Sequence, residues 1–342
     1  MPRDCRSRFY RAMALLLPAI ALAGLASCGV FTKKSGTVPG NRTTVGSMED
    51  AQRYLEMAEG ALNTGDKDAA LAAFAAAIEE NPRIVRAHMG MTEIYKERQQ
   101  WPQAEVAARR WVELEPRSYD ARYTHGYILH QLNRLVEAIR EYRQALIIQP
   151  NSPEANLNVA TAHLQLGQPE EALPFAQRAV DLYPQHGPSR ANLGVIYAAV
   201  GNHEAAALNY ESAMELMEPS PELTLNLVES LRHLQRYPEM VNAVEALIRM
   251  QPSPDAYERL GYATFKLRDY DRSESAYRSA LQLDPNYYPA MNGLAVNLLN
   301  DYIRSERTDG AARQEALNLL RRSLQVSKNQ PRIVELLSRY GP

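Results

Sequence analysis

The chain has 342 residues, 45% of them apolar and 23% charged, a balance that excludes a wholly disordered chain or a collagen-like fibre. Lys and Arg number 38 against 40 Asp and Glu, so no net positive field marks a nucleic-acid binder. Both cysteines, Cys5 and Cys28, fall in the first thirty residues, which leaves the rest of the chain without a disulfide or a cysteine-based metal site.

In chain order, Arg3, Arg6, Arg8 and Arg11 precede an uncharged run from Ala12 to Ala26. A basic start followed by a short apolar stretch is the pattern of an export signal, and the stretch is too short to cross a bilayer comfortably. It ends Leu25-Ala26-Ser27-Cys28, which resembles the lipobox of bacterial lipoproteins. That resemblance implies cleavage of residues 1–27 and a lipid anchor on Cys28; the alternative is an ordinary signal with a coincidental cysteine. Gly29 follows, which by the same resemblance leans toward the periplasmic face of an outer membrane, with another envelope membrane as the alternative. Losing residues 1–27 removes four arginines and one aspartate, leaving 34 basic against 39 acidic side chains. Residues 28–48, rich in Gly, Ser and Thr, read as a flexible tether. About 20 such residues give an r.m.s. reach of roughly 25 Å.

A period of 34 residues governs everything that follows. Pro82, Pro116, Pro150 and Pro184 stand 34 apart, and Pro219, Pro252 and Pro285 continue at 35, 33 and 33. A fixed period of this length signals a stacked-repeat protein. Each unit holds two apolar-periodic stretches and so predicts a helix pair. Gly126, Gly194 and Gly261 would let the first helix approach its partner, and Gly65, Gly167 and Gly201 would take the left-handed turn between the two. Pro102, Pro169 and Pro238 sit where a second helix would begin, and a missing N–H costs little there. In repeat two, Ala108 and Trp111 exchange the usual large and small positions, which preserves core volume. Both Trp101 and Trp111 are expected in the core.

The array resembles the tetratricopeptide repeat, on Leu260-Gly261, Ser273, Tyr277, Ala280 and Pro285 in one unit and Gly126, Ala138, Tyr142, Ala145 and Pro150 in another. The resemblance covers about 280 residues and implies an all-α TPR solenoid, a right-handed superhelix of about eight helix-turn-helix repeats with a C-terminal capping helix. The superhelix spans 49–330, with repeats at 51–84, 85–118, 119–152, 153–186, 187–220, 221–253, 254–287 and 288–328, and the cap occupies 331–342. Two departures stand out. Counting residues places nine extra ones in a polar loop at 301–311, and Pro174, inside a second helix, predicts a kink at a cost of about 3 kcal/mol or more.

No nucleotide-binding glycine loop, H-E-x-x-H or C-x-x-C is present, so no enzyme, cofactor or metal is expected. His125 and His130 lie five apart and point about 140° away from each other on a helix. His125 and His163 are expected to be buried against their helix partners.

The resemblance implies that first helices line a concave groove. Positions five, nine and twelve of each repeat share one face, which offers Tyr123, Tyr127 and His130, then Leu157 and Thr161, then Val195, then Glu229 and Arg232, then Glu258, Tyr262 and Phe265. Its middle is apolar and aromatic, the pattern of a protein-binding site, unless neighbouring repeats cover it. Asn158, Asn192 and Asn226 fall at position six of three consecutive repeats, similar to the asparagine ladder of the O-linked N-acetylglucosamine transferase superhelix, which would hold an extended peptide backbone. The carboxylate clamp of chaperone adaptors is absent, since Leu55 and Glu59 stand where that family has Lys and Asn.

The plan of lipobox plus repeats resembles pilus-assembly and tight-adherence lipoproteins. It implies a non-catalytic, membrane-anchored scaffold of the bacterial envelope with a protein or peptide partner in the groove. The alternatives are a docking platform for envelope enzymes such as cell-wall hydrolases, which would bring self-association, and an accessory to polysaccharide export.

Overall fold

The computed structural model describes residues 45–341. The export signal, Cys28 and most of the tether lie outside the described residues. The described residues form seventeen α-helices and no strand, and they divide between Leu182 and Tyr183 into two compact units. None of these helices is long and apolar enough to cross a membrane.

The first unit holds four hairpins. They pair α1 (Val45–Asn63) with α2 (Lys67–Glu80), α3 (Val85–Glu97) with α4 (Trp101–Leu114), α5 (Tyr119–Gln131) with α6 (Leu135–Ile148), and α7 (Pro153–Gln165) with α8 (Pro169–Leu182). The second unit continues with α9 (Gly187–Ala199) and α10 (His203–Leu216), α11 (Pro221–His233) and α12 (Tyr237–Met250), α13 (Pro254–Lys266) and α14 (Tyr270–Leu283), α15 (Tyr288–Arg304) and α16 (Gly310–Val326), and a last helix α17 (Pro331–Tyr340). The period prolines fall between hairpins, as their spacing predicts. Helix α1 starts at Val45, so the tether ends four residues before the expected residue 48.

The ends of these helices are written in the sequence. Asp66, Ser118, Ser152, Asn202, Ser220, Ser253, Asp269 and Asp309 each accept an N–H of the first turn with a side-chain oxygen. Between the two helices of a repeat the chain closes with one tight turn: the N–H of Asp66 reaches Ala61 O at 2.9 Å, and that of Asn202 reaches Tyr197 O at 2.8 Å. The turn needs one residue in the left-handed region. Gly65, Gly167 and Gly201 supply it with φ of 79°, 72° and 86°, as expected. Gln99, Asn133, Gln235 and Arg268 adopt the same conformation with φ of 55–63° and bear the steric cost of a Cβ there.

Within a hairpin the core is a small residue against a ring. A Cβ on Gly126 would stand 2.8 Å from the Tyr142 ring, one on Gly194 2.7 Å from Tyr210, and one on Gly261 2.8 Å from Tyr277. These tyrosines are buried, and Tyr142 and Tyr210 are almost wholly so. Repeat two makes the exchange read from its sequence: Trp111 is buried beside Val112 and Ala121, Ala108 is fully buried, and Trp111 Nε1 donates to Glu115 Oε2 at 3.0 Å. Trp101 departs from the expectation and is only half-buried.

Helices α4, α5 and α6 also share a buried polar cluster. Arg122 Nη1 donates to Glu141 Oε2 at 2.7 Å, and His125 lies 3.7 Å from Glu105 and 3.9 Å from Glu141. Burial opposes ionisation of Glu141, but His125 and Arg122 outweigh it and hold the carboxyl below its usual range. His125 is buried as expected, whereas His163 is half-buried, stacked on Phe175 at 6.0 Å.

One sequence expectation is corrected. The polar loop at 301–311 is mostly helix: α15 and α16 run 17 residues each, against 13 and 14 for their counterparts α13 and α14, and only 305–309 connects them. Seven of the extra residues are absorbed as added helix and two lengthen the connection, with Ala312 buried in the added first turn of α16. Helix α8 runs from Pro169 to Leu182 with Pro174 inside it. The carbonyl that loses its donor belongs to Glu170, an exposed residue of the first turn, where water can replace the missing N–H.

Helix α17 caps the last hairpin as predicted. Ile333 is buried against α15 and α16, Leu336, Leu337 and Tyr340 pack beside it, and Arg313 Nε donates to Tyr340 O at 2.8 Å.

The close approach generates a stability prediction. Gly194→Ala should lower the free energy of unfolding by about 1–3 kcal/mol through overpacking against Tyr210. Gly60→Ala, in exposed helix with nothing within 4 Å of its added Cβ, should raise it by about 0.5–1 kcal/mol. Urea titrations of the two variants give the comparison, and equal signs would refute it.

Candidate functional site

In the first unit, α5 supplies the aromatic residues read from the sequence. Tyr123 stacks on Tyr119 with centroids 5.6 Å apart and leans on Tyr142 at 5.7 Å. Asn158 Nδ2, from the next repeat, donates to Tyr123 Oη at 2.9 Å. Burial pushes the phenols of Tyr119 and Tyr123 up, so both stay neutral donors and acceptors. Tyr127 meets Trp101 edge-on, centroids 6.1 Å apart. His130 Nε2 lies 2.9 Å from Gln165 Oε1, and burial holds its pKa below the ordinary value, which keeps the ring uncharged near neutrality.

Trp101, Tyr123 and Tyr127 line an open depression of about 590 Å³, completed by Lys96, Glu97, Gln99, Thr124 and Gln131. It opens on the first-helix side, between repeats two and three. Three aromatic side chains, rimmed by one cation, one anion and two amides, suit an apolar side chain with hydrogen-bonding groups beside it. Sequence reasoning assigned Trp101 to the core and missed it here; the signal was its place at the very start of α4, where a side chain has no full turn before it to pack on.

Leu157 and Thr161 are half-buried on α7, and the Thr161 hydroxyl donates to Leu157 O at 2.9 Å. The Asn158 amide is likewise engaged, by Tyr123, which occupies a group expected to face a peptide backbone.

In the second unit, Asn192 and Val195 are buried, at 8% and 6% exposure, and pack within α9's surroundings. Asn226 is half-buried on α11. Further on, the face is ionic. Arg232 Nε donates to Glu229 Oε2 at 2.9 Å, Arg259 bridges Glu229 and Asp255, and Tyr287 Oη donates to Asp255 Oδ1 at 3.1 Å. Tyr262 meets Tyr237 edge-on at 6.1 Å with Lys266 Nζ 5.5 Å from its ring, and Phe265 meets Tyr270 at 5.5 Å. Beside this network sits Glu258, whose carboxyl is pushed up to about 7 by burial first and by Asp255 second, with Arg232 opposing.

His203 finds a second histidine in space, His233, but the rings stack parallel at 4.0 Å and their lone pairs do not converge on one point. Among the described residues no three His, Cys, Asp or Glu side chains are placed to hold a metal ion.

Models of the tetratricopeptide repeat match residues 55–91 and 225–288, 126–167, and 151–218, together more than half of the chain. The chain belongs to the tetratricopeptide repeat family. Among curated relatives it is similar to small glutamine-rich tetratricopeptide repeat-containing protein 2 of Mycosarcoma maydis, 33% identical over 86 residues, covering 25% of this chain and 24% of that protein. The chain spans less than a third of the length of the curated relatives it matches. Among solved structures, a tetratricopeptide repeat protein of Parabacteroides merdae aligns over 73% of this chain and 99% of its own, with 13% identity and a TM-score of 0.50. PilW, described as a widely conserved type IV pilus biogenesis factor, aligns over 59% of this chain and 94% of its own at 20% identity and a TM-score of 0.49. At these identities the structural likeness is one of fold. Tetratricopeptide repeat proteins are generally non-catalytic scaffolds that bind protein or peptide partners.

Glu258 gives this face a pH dependence. A glutamate in the unfolded chain titrates near 4.5, and the folded one near 7, so the folded state holds the extra proton between these values and loses stability as pH rises through that window. Glu258→Gln should therefore raise the thermal midpoint relative to the parent above pH 7 and leave it nearly unchanged at pH 4. A difference of equal size at both pH values would show that the carboxyl is not desolvated.

Proposed function

We propose that this chain is a non-catalytic, membrane-anchored scaffold of the bacterial envelope that takes a peptide segment or helix of a partner protein on its first-helix face. The observation that carries the reading is the depression lined by Trp101, Tyr123 and Tyr127. Aromatic anchors of this kind supply much of the energy at protein interfaces. In this reading Tyr127 and Trp101 receive an apolar side chain of the partner, while Lys96, Glu97, Gln99 and Gln131 pair with the polar groups beside it. In the second unit, Glu229 and Arg232 beside Tyr262 and Phe265 form a separate face of their own, charged and aromatic. The membrane attachment rests on the lipobox at Leu25–Cys28, and service in assembling a pilus or secretion complex rests on the joining of that anchor to these repeats.

A photocrosslinkable residue at Tyr127, with a control at the exposed Glu170 of α8, tests the face in cells. The expected result is one dominant envelope protein captured only from position 127, and its identity separates a pilus or secretion component from a cell-wall hydrolase or an export channel. Tyr127→Asp should weaken capture from a crosslinker at position 123 by about tenfold or more while leaving helicity intact. Equal capture from 127 and 170 would remove the aromatic depression from the reading.

The anchor has its own test. Cys28→Ser should abolish incorporation of labelled fatty acid and release the protein from the membrane fraction. A variant that stays with the membrane would assign attachment to another part of the chain.

A further inference from the structure

On the second-helix side of repeat three, α6 carries the two most exposed large apolar side chains among the described residues, Val136 at 70% and Ile147 at 72%. They stand 11 residues apart, which on an α-helix brings them to within about 20° of one face and sets them about 16 Å apart. Arg140, Arg143 and Gln144 lie between them on the same face, and these five residues with Ile139 line a depression of about 420 Å³.

The stripe contains no acid. Glu137, on its flank, is held by Arg134 in two hydrogen bonds of 2.7 Å. Glu141 is buried and takes Arg122 at 2.7 Å, so its 3.9 Å approach to Arg140 neutralises little of that guanidinium. Arg143 has no hydrogen bond or ion pair among the described residues. Arg143, without an acidic partner, and Arg140, whose acidic neighbours are already engaged by Arg122 and Arg134, are thus bracketed by two apolar side chains that the fold leaves in water.

We propose that this stripe is a second docking surface, for an acidic amphipathic helix of a partner protein. Two apolar side chains of that helix, about 11 residues apart, rest on Val136 and Ile147, and carboxylates between them pair with Arg140 and Arg143. The arginines call for anionic groups, and a helix surface with only two apolar side chains about 16 Å apart and charge between them lacks the continuous apolar face that seats in a membrane, which favours this occupant over lipid. The surface is independent of the aromatic depression on the first-helix side.

The test uses the full chain and a fluorescein-labelled helical peptide of about 18 residues with leucines 11 apart and glutamates between them on one face. A matched peptide carries lysine for each glutamate, and affinity is read by anisotropy. The wild type should bind the glutamate peptide at least tenfold more tightly than the lysine one. Arg140→Glu with Arg143→Glu should reverse that order, Val136→Ser with Ile147→Ser should weaken both, and Tyr127→Asp should change neither. The two double variants alter four positions of the stripe and none of the core, so circular dichroism should report unchanged helicity. Equal affinity for the two peptides, binding of neither, or loss of binding in Tyr127→Asp would overturn the proposal. So would co-sedimentation with phosphatidylglycerol vesicles that the double arginine variant abolishes, which would assign the stripe to lipid, or a dimer that the same variant dissolves, which would assign it to a second copy.

Discussion

Everything in this protein hangs on how closely two helices of one repeat can lie. Where Gly126, Gly194 or Gly261 stands in the first helix, the tyrosine of the second helix presses its ring onto bare backbone. A methyl group at the glycine would push the pair apart by a few tenths of an ångström, and within a unit each later hairpin builds on the previous one. The same ring faces the next repeat as well: Tyr277 also abuts Gly293 at the start of the following hairpin. One side chain thereby sets both the spacing inside a repeat and the stacking onto its neighbour within a unit. Because the tyrosines are consumed in this way, the aromatic residues left for other duties are those at different positions of the repeat, such as Tyr123 and Tyr127.

That division of labour explains the chemistry of the first-helix face. Each first helix has one stripe committed to its partner and another facing outward, so the outward stripe can vary without disturbing the fold. In the first unit it has become aromatic and half-buried, with Tyr123 stacked on Tyr119 and leaning on the core ring of Tyr142, and with Trp101 edge-on to Tyr127. In the second it has become an ion-pair network through Glu229, Arg232, Arg259 and Asp255. The network satisfies its charges internally except at Glu258, which burial drives toward neutrality. The two units therefore offer unlike surfaces on one architectural plan.

The architecture was legible because the period repeats the same constraints many times over, and a 34-residue spacing of prolines survives any single exception. The last repeat was misread because counting tells how many residues intervene and not what they do. Seven of the nine extra residues lengthen two helices and two lengthen their connection, and polar letters such as Asp301 and Arg304 hid the added helix. The left-handed turn was visible where glycine filled it and invisible at Gln99, Asn133, Gln235 and Arg268, since the tight turn overrides the residue's own preference. The candidate site was half legible. Position along the helix identified Tyr123 and Tyr127, yet it also nominated Asn192 and Val195, which neighbours cover, and it passed over Trp101, whose exposure depends on the turn before α4. Burial is a property of pairs of helices, and a single helical wheel does not contain it.

Helix α17 differs from the sixteen before it in having no partner of its own. It lays Ile333, Leu337 and Tyr340 across the outer face of the last hairpin and ties its end to Arg313. That face, like every other in the array, is shaped to receive a repeat, and it does not distinguish a repeat of its own chain from one of another. Were the ten residues of α17 to detach, the bared face would be open to the first hairpin of a second molecule. Such a contact would be head-to-tail, the kind that adds one molecule after another and ends in a ring or an open filament according to the rotation it imposes. A short amphipathic helix thus stands between an ordered array and its polymer.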